Sequence, residues 1–173
     1  MARIRSLTIF GALLVFGILL SGCIEETQEN SVDAFFCPQD HCEERALSAI
    51  DSAKSTVDVG IYSFTSKELF GALMDAQRRG VRVRVVADYT QSKGNSSVVP
   101  FLDGNGIDSR IYPKGTTLHD KFAIIDDELV LTGSYNWTTN ADERNRENLV
   151  FIQNKEIARE YEDEFFRLWA EAD

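Results

Sequence analysis

Histidine is scarce in this chain of 173 residues: His41 and His119 are the only two, so each can be weighed singly and any chemistry that needs an imidazole falls on them. Cysteine is limited to Cys23, Cys37 and Cys42. A structural zinc site wants four ligands, and Cys37, His41 and Cys42 offer three, with Cys23 the sole remaining thiol. Positive charge is short too, at 18 basic against 28 acidic side chains and a formal net charge of −10. That balance is a poor global match to a polyanion and argues against a protein whose main task is gripping nucleic acid. It leaves room for a small basic cleft, because local charge decides what enters a site. No internal repeat is present, and 43% hydrophobic with 27% charged residues describes one ordinary globular domain.

No apolar run reaches the roughly 20 residues of a comfortable membrane span. The longest, LTIFGALLVFGILL from Leu7 to Leu20, follows Arg3 and Arg5. A basic start, a short apolar middle and small residues after it read as a secretory signal peptide over residues 1–22. Its end, Leu20-Ser21-Gly22-Cys23, resembles the lipobox of prokaryotic lipoproteins. That resemblance implies cleavage before Cys23, lipid on its sulfur and an extracytoplasmic domain held at the cell membrane. The competing reading is an uncleaved anchor with an incidental cysteine. Cleavage would remove Arg3 and Arg5 and no acid, leaving 16 basic against 28 acidic residues, net −12. Residues 23–31 are polar, acidic and aperiodic, as in a flexible tether, and residues 32–173 form the expected domain.

With Cys23 assigned to lipid, Cys37 and Cys42 are an even pair outside the cytoplasm, which suggests a disulfide. Free thiols and the incomplete zinc set with His41 are the alternatives. Beyond them, strand and helix patterns alternate. Val32 to Phe36 reads as a strand and about Asp40 to Lys54 as a helix. Thr56 to Ser63 is a strand, and Ser66 caps a helix that Gly80 ends. Val81 to Ala87 alternates Val with Arg, so Val81, Val83 and Val85 share one face and Arg82 and Arg84 the other. Asn95 to Leu102 predicts a short helix and Ile107 to Tyr112 a strand. Leu118 to Ile125 and Leu129 to Thr132 flank the hairpin turn Asp126-Asp127-Glu128. Asn148 to Ile152 reads as a buried strand, and Glu156 to Trp169 as a closing helix whose aromatics pack the core. The sum is an α/β domain with a mixed sheet flanked by helices.

One constellation carries chemistry. His119 and Lys121 stand at i and i+2 and share a face, with Ala123 and Ile125 below them. An imidazole beside an ammonium needs an anion. Phosphate suits both, because His can attack phosphorus while Lys neutralises its oxygens. After the second hairpin strand, Ser134 and Asn136 offer a hydroxyl and an amide donor of matching parity. His41 lacks a convergent polar cluster and reads as a surface or capping residue.

His119, Lys121, Asp126, Gly133-Ser134 and Asn136 match the HxKxxxxD…GSxN signature of the phospholipase D superfamily. The likeness extends to Arg146-Glu147-Asn148 and to GVRVRVVAD, HDKFAIID and TGSYNWTT, which resemble the single-motif branch of Nuc-type endonucleases and mitochondrial cardiolipin hydrolases. It implies a phospholipase D-like single-HKD domain in which His119 forms a phosphohistidine. Lys121 and Asn136 would hold the phosphate oxygens, and Ser134 would support the phosphate or the loop. Glu147 would orient the His119 ring, and Asp126 would fix the hairpin. It implies no metal or other cofactor. The two-step reaction needs two imidazoles, so one motif per chain implies a homodimer with a shared site. The substrate is a phosphodiester. Nucleic acid is favoured over phospholipid because no long apolar insertion could bury acyl chains, and because Arg82, Arg84, Lys93, Lys114, Arg144 and Arg146 are expected to bring positive charge to the cleft. A non-catalytic polyanion-binding adaptor would not need so full a catalytic set.

Overall fold

A computed structural model of the protein describes residues 30–173. The signal peptide, Cys23 and all of the tether up to residue 29 lie outside the described residues. Ser31, expected at the end of the tether, is instead the first residue of β1.

Seven strands form one mixed sheet in the order β1-β7-β6-β5-β2-β3-β4. They are β1 (Ser31–Cys37), β2 (Thr56–Ile61), β3 (Arg82–Ala87), β4 (Asp108–Ile111), β5 (Lys121–Ile125), β6 (Leu129–Gly133) and β7 (Glu147–Gln153). The parallel pairs β2–β3 and β3–β4 come from the strand–helix half of the sequence, and the antiparallel β2–β5, β5–β6, β6–β7 and β7–β1 pairs complete the sheet. Helices α1 (Cys42–Ser52) and α2 (Lys67–Arg78) cover one face, packing Ile50, Leu69 and Leu73 on Val57, Val59, Val83 and Val85. On the other face α5 (Lys155–Glu171) lays Ala158, Phe165 and Leu168 on Val86, Phe122, Ile124 and Val130. The Val alternation of β3 thus sorts its side chains as expected. The Ser66 hydroxyl caps α2 by accepting the Leu69 N–H at 3.0 Å.

Several expectations are corrected. Residues 95–102 do not form an α-helix; two 3₁₀ turns at Val99–Phe101 and Asp103–Asn105 take their place. Two short helices, α3 (Tyr89–Ser92) and α4 (Thr139–Glu143), carry no apolar stripe long enough to be read. Strand β7 is not a buried strand. Leu149 alone is buried, because among the described residues the one strand outside β7 is the largely exposed edge β1. Of the two readings of His41, surface or capping residue, the first holds: it is exposed and leads into α1 without a side-chain capping bond. Cys37 and Cys42, by contrast, form the disulfide that their pairing suggested, with Cα atoms 5.7 Å apart.

Arg82 and Arg84 do not line the cleft. Arg82 opens β3 opposite Thr56, at the far end of the sheet from Lys121. Arg84 forms a two-pronged ion pair with Asp58, both contacts 2.7 Å, beneath Phe165, Phe166 and Trp169 of α5. A charge on the inner side of a strand survives burial only when paired in this way, so Arg84 is a structural residue, while Arg82 stays exposed at the far end of the strand.

The same end of the sheet holds a carboxyl raised above its ordinary range. Burial first, then a hydrogen bond shared with Asp127 and the charges of Asp127 and Asp58, push Glu162 up to about 7, against the pull of Arg84. A carboxyl raised on folding contributes stability below its unfolded value near 4.5 and loses it as pH rises through 7. Partial exposure limits the effect to about 1 kcal/mol. Glu162→Gln is expected to melt with the wild type near pH 4 and about 3 °C above it at pH 8 in a thermal denaturation series. Equal shifts at both pH values would show that ionisation of Glu162 is not the cause.

Candidate active site

The site lies at the edge of the sheet where β5 begins and β6 ends. Three segments meet there, and each is fixed by backbone bonds. The chain before β5 is held by Asp88, buried at the end of β3. One Asp88 oxygen caps α3 through the Thr90 and Gln91 N–H groups, and the other accepts the Leu118 N–H at 3.2 Å. The Tyr62 N–H then donates to the Asp120 carbonyl at 2.9 Å, which continues the β2–β5 ladder past the named strands. His119 therefore precedes β5 rather than lying within it, yet keeps the register that puts it beside Lys121.

At the end of β6, Gly133 turns the chain with φ +142°. A Cβ there would come within 2.3 Å of the Asn148 carbonyl oxygen. Only glycine tolerates both the angle and that approach. The close approach allows Ser134 to donate its N–H to the Asn148 carbonyl at 3.1 Å. Two residues on, the loop is tied to the one after β2. Trp137 donates to the Ser63 carbonyl, Thr65 and Ser66 donate to the Trp137 carbonyl, and the Phe64 and Trp137 rings meet edge to face at 4.9 Å. The Asn136 side-chain oxygen accepts the Ser63 N–H at 3.2 Å. Its amide NH₂ is thereby left to face the hollow as a donor.

These constraints bring five of the expected residues around one hollow of about 460 Å³: His119, Lys121, Ser134, Asn136 and Glu147, with Gly133 as floor. His119 is exposed. Lys121 is 8% exposed, and its Nζ donates to His119 Nδ1 at 3.0 Å and to the His119 carbonyl. Burial pulls the Lys121 ammonium below its ordinary range, and the charges of Asp120 and Glu147 oppose that pull. An ammonium can only donate, so Nδ1 is the acceptor and a neutral His119 ring carries its proton on Nε2. The Tyr62 ring packs against the imidazole at 4.5 Å between centroids and under Lys121 Nζ at 4.9 Å.

Glu147 differs from its expected role of holding the His119 ring. Its Oε2 accepts the Ser134 hydroxyl at 2.5 Å and its Oε1 accepts the Asn145 amide at 2.9 Å. Ser134 also accepts the Asn148 N–H at 3.1 Å, so its hydroxyl supports the loop and Glu147. Asp126 does not join the site. It stands at the other end of β5, about 17 Å away by strand rise. Its carboxylate accepts the N–H groups of Lys54, Ser55 and Thr56 and the Ser55 hydroxyl. Burial would raise this carboxyl, but those bonds, led by Thr56 and Ser55, outweigh it and lower it. Among the described residues no three His, Cys, Asp or Glu side chains are placed to hold a metal ion.

A family model described as "Cardiolipin synthase, PLD-like domain" matches residues 46–169, which is most of the chain and includes every residue of this hollow. The chain belongs to the phospholipase D-like family. Among curated proteins, this phospholipase D-like chain is 37% identical over 140 residues to the mouse (Mus musculus) mitochondrial cardiolipin hydrolase, covering 79% of the chain and 63% of that protein. It thus spans under two thirds of that relative's length. It is 34% identical to a phospholipase D of Rickettsia conorii, over 80% of the chain and 69% of that protein. Among solved structures, the phospholipase D family member Nuc from Salmonella typhimurium superposes with a TM-score of 0.80 at 34% identity, covering 84% of this chain and 97% of Nuc. The mixed seven-stranded sheet is that fold.

Two residues that shape this phospholipase D-like site were missed in the sequence. Tyr62 follows β2 and supports both His119 and Lys121; an aromatic ring just past a buried strand was its only signal. Asp88 closes the apolar run of β3, where a buried carboxylate must satisfy backbone donors. The segment GVRVRVVAD displayed it without revealing that its partner would be Leu118.

Proposed function

We propose that this chain is a metal-independent phosphodiesterase working through a phosphohistidine on His119, and that its substrate is nucleic acid. The observation that carries the reading is the single hollow where an exposed imidazole, a buried ammonium and the Asn136 amide converge. A phosphate oxygen arriving there draws the Lys121 ammonium away from Nδ1 and frees the ring to turn. An unprotonated nitrogen of His119 then attacks phosphorus and the bond to the leaving oxygen breaks, while a second imidazole gives that oxygen a proton. In the second step that imidazole, now neutral, takes a proton from water. The hydroxide attacks phosphorus and releases His119. Lys121 and Asn136 stabilise charge on the phosphoryl oxygens in both steps.

The second imidazole comes from a second copy of the chain. His119 is exposed, and His41 lines a different hollow, with Phe35 and Leu129. Apolar side chains on β1, Val32 at 68% and Phe36 at 59% exposure, offer a surface for that copy, and Phe36 shares a hollow with Ser134, Arg146 and Glu147.

The direction of the chain favours nucleic acid over membrane lipid. Strand β1 starts opposite Gln153 and ends opposite Glu147, so the described chain enters the domain about 20 Å from the site, at the far end of the sheet. A lipid on Cys23 would attach the domain at that far end rather than beside the site. Among the described residues no helix is long and apolar enough to cross a membrane. Lys93 and Lys114, on the segments that follow β3 and precede His119, and Arg144 and Arg146, just before Glu147, keep some positive charge at the site end.

Protein purified from the membrane fraction is expected to hydrolyse bis(p-nitrophenyl) phosphate in the presence of EDTA. It is also expected to cut DNA or RNA but not phosphatidylcholine or cardiolipin, with palmitate labelling of the wild type and not of Cys23→Ala. Release of a lipid headgroup without nucleic-acid cleavage would reverse the substrate assignment. Loss of activity in EDTA would overturn metal independence, and equal labelling of both proteins would remove the anchor.

A further inference from the structure

A second cleft, of about 840 Å³, opens directly beside the catalytic hollow and shares Asn136 with it. Its walls come from three places: the loop after β2, the segment between α3 and the first 3₁₀ turn, and α4. The composition of those walls is unusual for a chain this rich in charge. Among the described residues lining it, Lys67 is the one charged side chain, and no carboxylate is present. The rest is dominated by amides and hydroxyls, among them Gln91, Asn95, Asn140 and Asn145. Two rings stand at its margins. Tyr62 is held in place by the Gln91 amide, which donates to its hydroxyl at 3.0 Å. Phe101 projects from the first 3₁₀ turn with 61% of its surface exposed.

We propose that this cleft is a nucleoside subsite, which reads the unpaired base and sugar next to the scissile phosphate by stacking and hydrogen bonding rather than by charge. The inference rests on the phosphodiesterase reading of His119. Each primary amide carries a donor and an acceptor side by side, which is the pattern that base edges present. An exposed aromatic ring costs solvation unless something flat covers it, and a base is the flat group that a phosphodiester substrate can bring. The volume falls within the range of small-molecule sites and accommodates more than a lipid headgroup. Acyl chains are excluded by the same walls, since Val98 and Phe101 are the only side chains there without a polar atom. One cation in the lining cannot grip a run of phosphates. Binding through this cleft therefore depends less on salt than a basic groove would. A base in a duplex is stacked and paired, so its face cannot reach Phe101, and the subsite selects single strands.

The test compares a short single-stranded oligonucleotide with methyl p-nitrophenyl phosphate, a substrate with no base to stack. Phe101→Ala is expected to lower the ratio of kcat/KM for the oligonucleotide to kcat/KM for the small substrate by about tenfold, through KM, and Phe101→Trp to restore it. Asn95→Ala should move the ratio in the same direction. The same sequence in duplex form should be cut at least tenfold more slowly by the wild type. An unchanged ratio in Phe101→Ala and Asn95→Ala, or equal cutting of duplex and single strand, would overturn the nucleoside subsite while leaving the phosphodiesterase reading in place. A Phe101→Ala loss confined to phosphatidylglycerol vesicles would assign the cleft to lipid headgroups. No turnover of either substrate by the wild type would overturn both proposals.

Discussion

His119→Ala is expected to reduce phosphodiester hydrolysis by at least about 10³-fold, because in the proposed mechanism it removes the attacking nucleophile rather than a supporting contact. Acid quenching should trap phosphate on the wild-type protein and none on the variant. The shared-site proposal adds a sharper outcome for mixed dimers that hold one wild-type chain and one His119→Ala chain. Such a dimer keeps one nucleophile and loses the imidazole that acts as acid and then as base. With a p-nitrophenyl ester the first step survives, since p-nitrophenolate leaves without a proton. The second step stalls, because no neutral imidazole is left to activate water. The mixed dimer should release a burst of p-nitrophenolate equal to its wild-type chains and then stop. With a ribose or deoxyribose alkoxide as leaving group it should be inert from the start. Steady turnover of both substrates at half the wild-type rate would show that each chain works alone. So would light scattering that finds a fully active monomer.

Asp126→Ala is the second large effect, and it falls on stability instead of catalysis. The Asp126 carboxylate accepts the Lys54, Ser55 and Thr56 N–H groups and the Ser55 hydroxyl, so it closes the link between α1 and β2. It does so from the first residue of a turn in which Asp126 and Asp127 have φ of 54° and 58°, with Glu128 N–H returning to the Ile125 carbonyl at 3.2 Å. Alanine leaves these donors to water and dislikes the left-handed angle by about 1 kcal/mol. The total loss is about 3 kcal/mol, or a melting temperature lower by about 8 °C. Asparagine keeps an acceptor oxygen and tolerates the angle, so Asp126→Asn should lose less than half as much at pH 7. The lowered Asp126 carboxyl contributes stability above its unfolded value and gives it up as pH falls through its folded one. The advantage of wild type over Asp126→Asn should therefore shrink as the pH drops below 4. In either variant, kcat per folded molecule should stay near wild type. A loss of kcat as deep as that of His119→Ala would put Asp126 back among the catalytic groups.

The elements that carry regular patterns were legible in the sequence. The Val/Arg alternation of β3, the Ser66 cap and Gly80 stop of α2, and the aspartates of the β5–β6 turn each express a rule that acts within a few residues. The short helices α3 and α4 were not legible, because their ends are held by Asp88 and Thr138 rather than by an apolar stripe. The fate of the basic residues was half legible. Alternation put Arg82 and Arg84 on one face of β3, but could not say that α5 would cover that face and that Asp58 would lie in the neighbouring strand.

The sequence by itself determined which side chains the candidate site would gather. Two histidines, of which one stands two residues from a lysine, followed by Gly133-Ser134 and Asn136, single out the imidazole, ammonium and donors on which the proposed mechanism draws. Spacing along a strand is a local property, so it survives translation into three dimensions unchanged. What lies across the hollow is not local. Glu147 engages Ser134 and Asn145 in place of His119, Tyr62 packs under the imidazole, and Asp88 reaches over to Leu118. Only the tertiary structure decided these, because the partners sit on strands and loops up to tens of residues apart that the sheet order β1-β7-β6-β5-β2-β3-β4 brings side by side. The same order separated Asp126 from the histidine whose motif it shares, since a five-residue strand placed between them carries the two to opposite ends of the sheet.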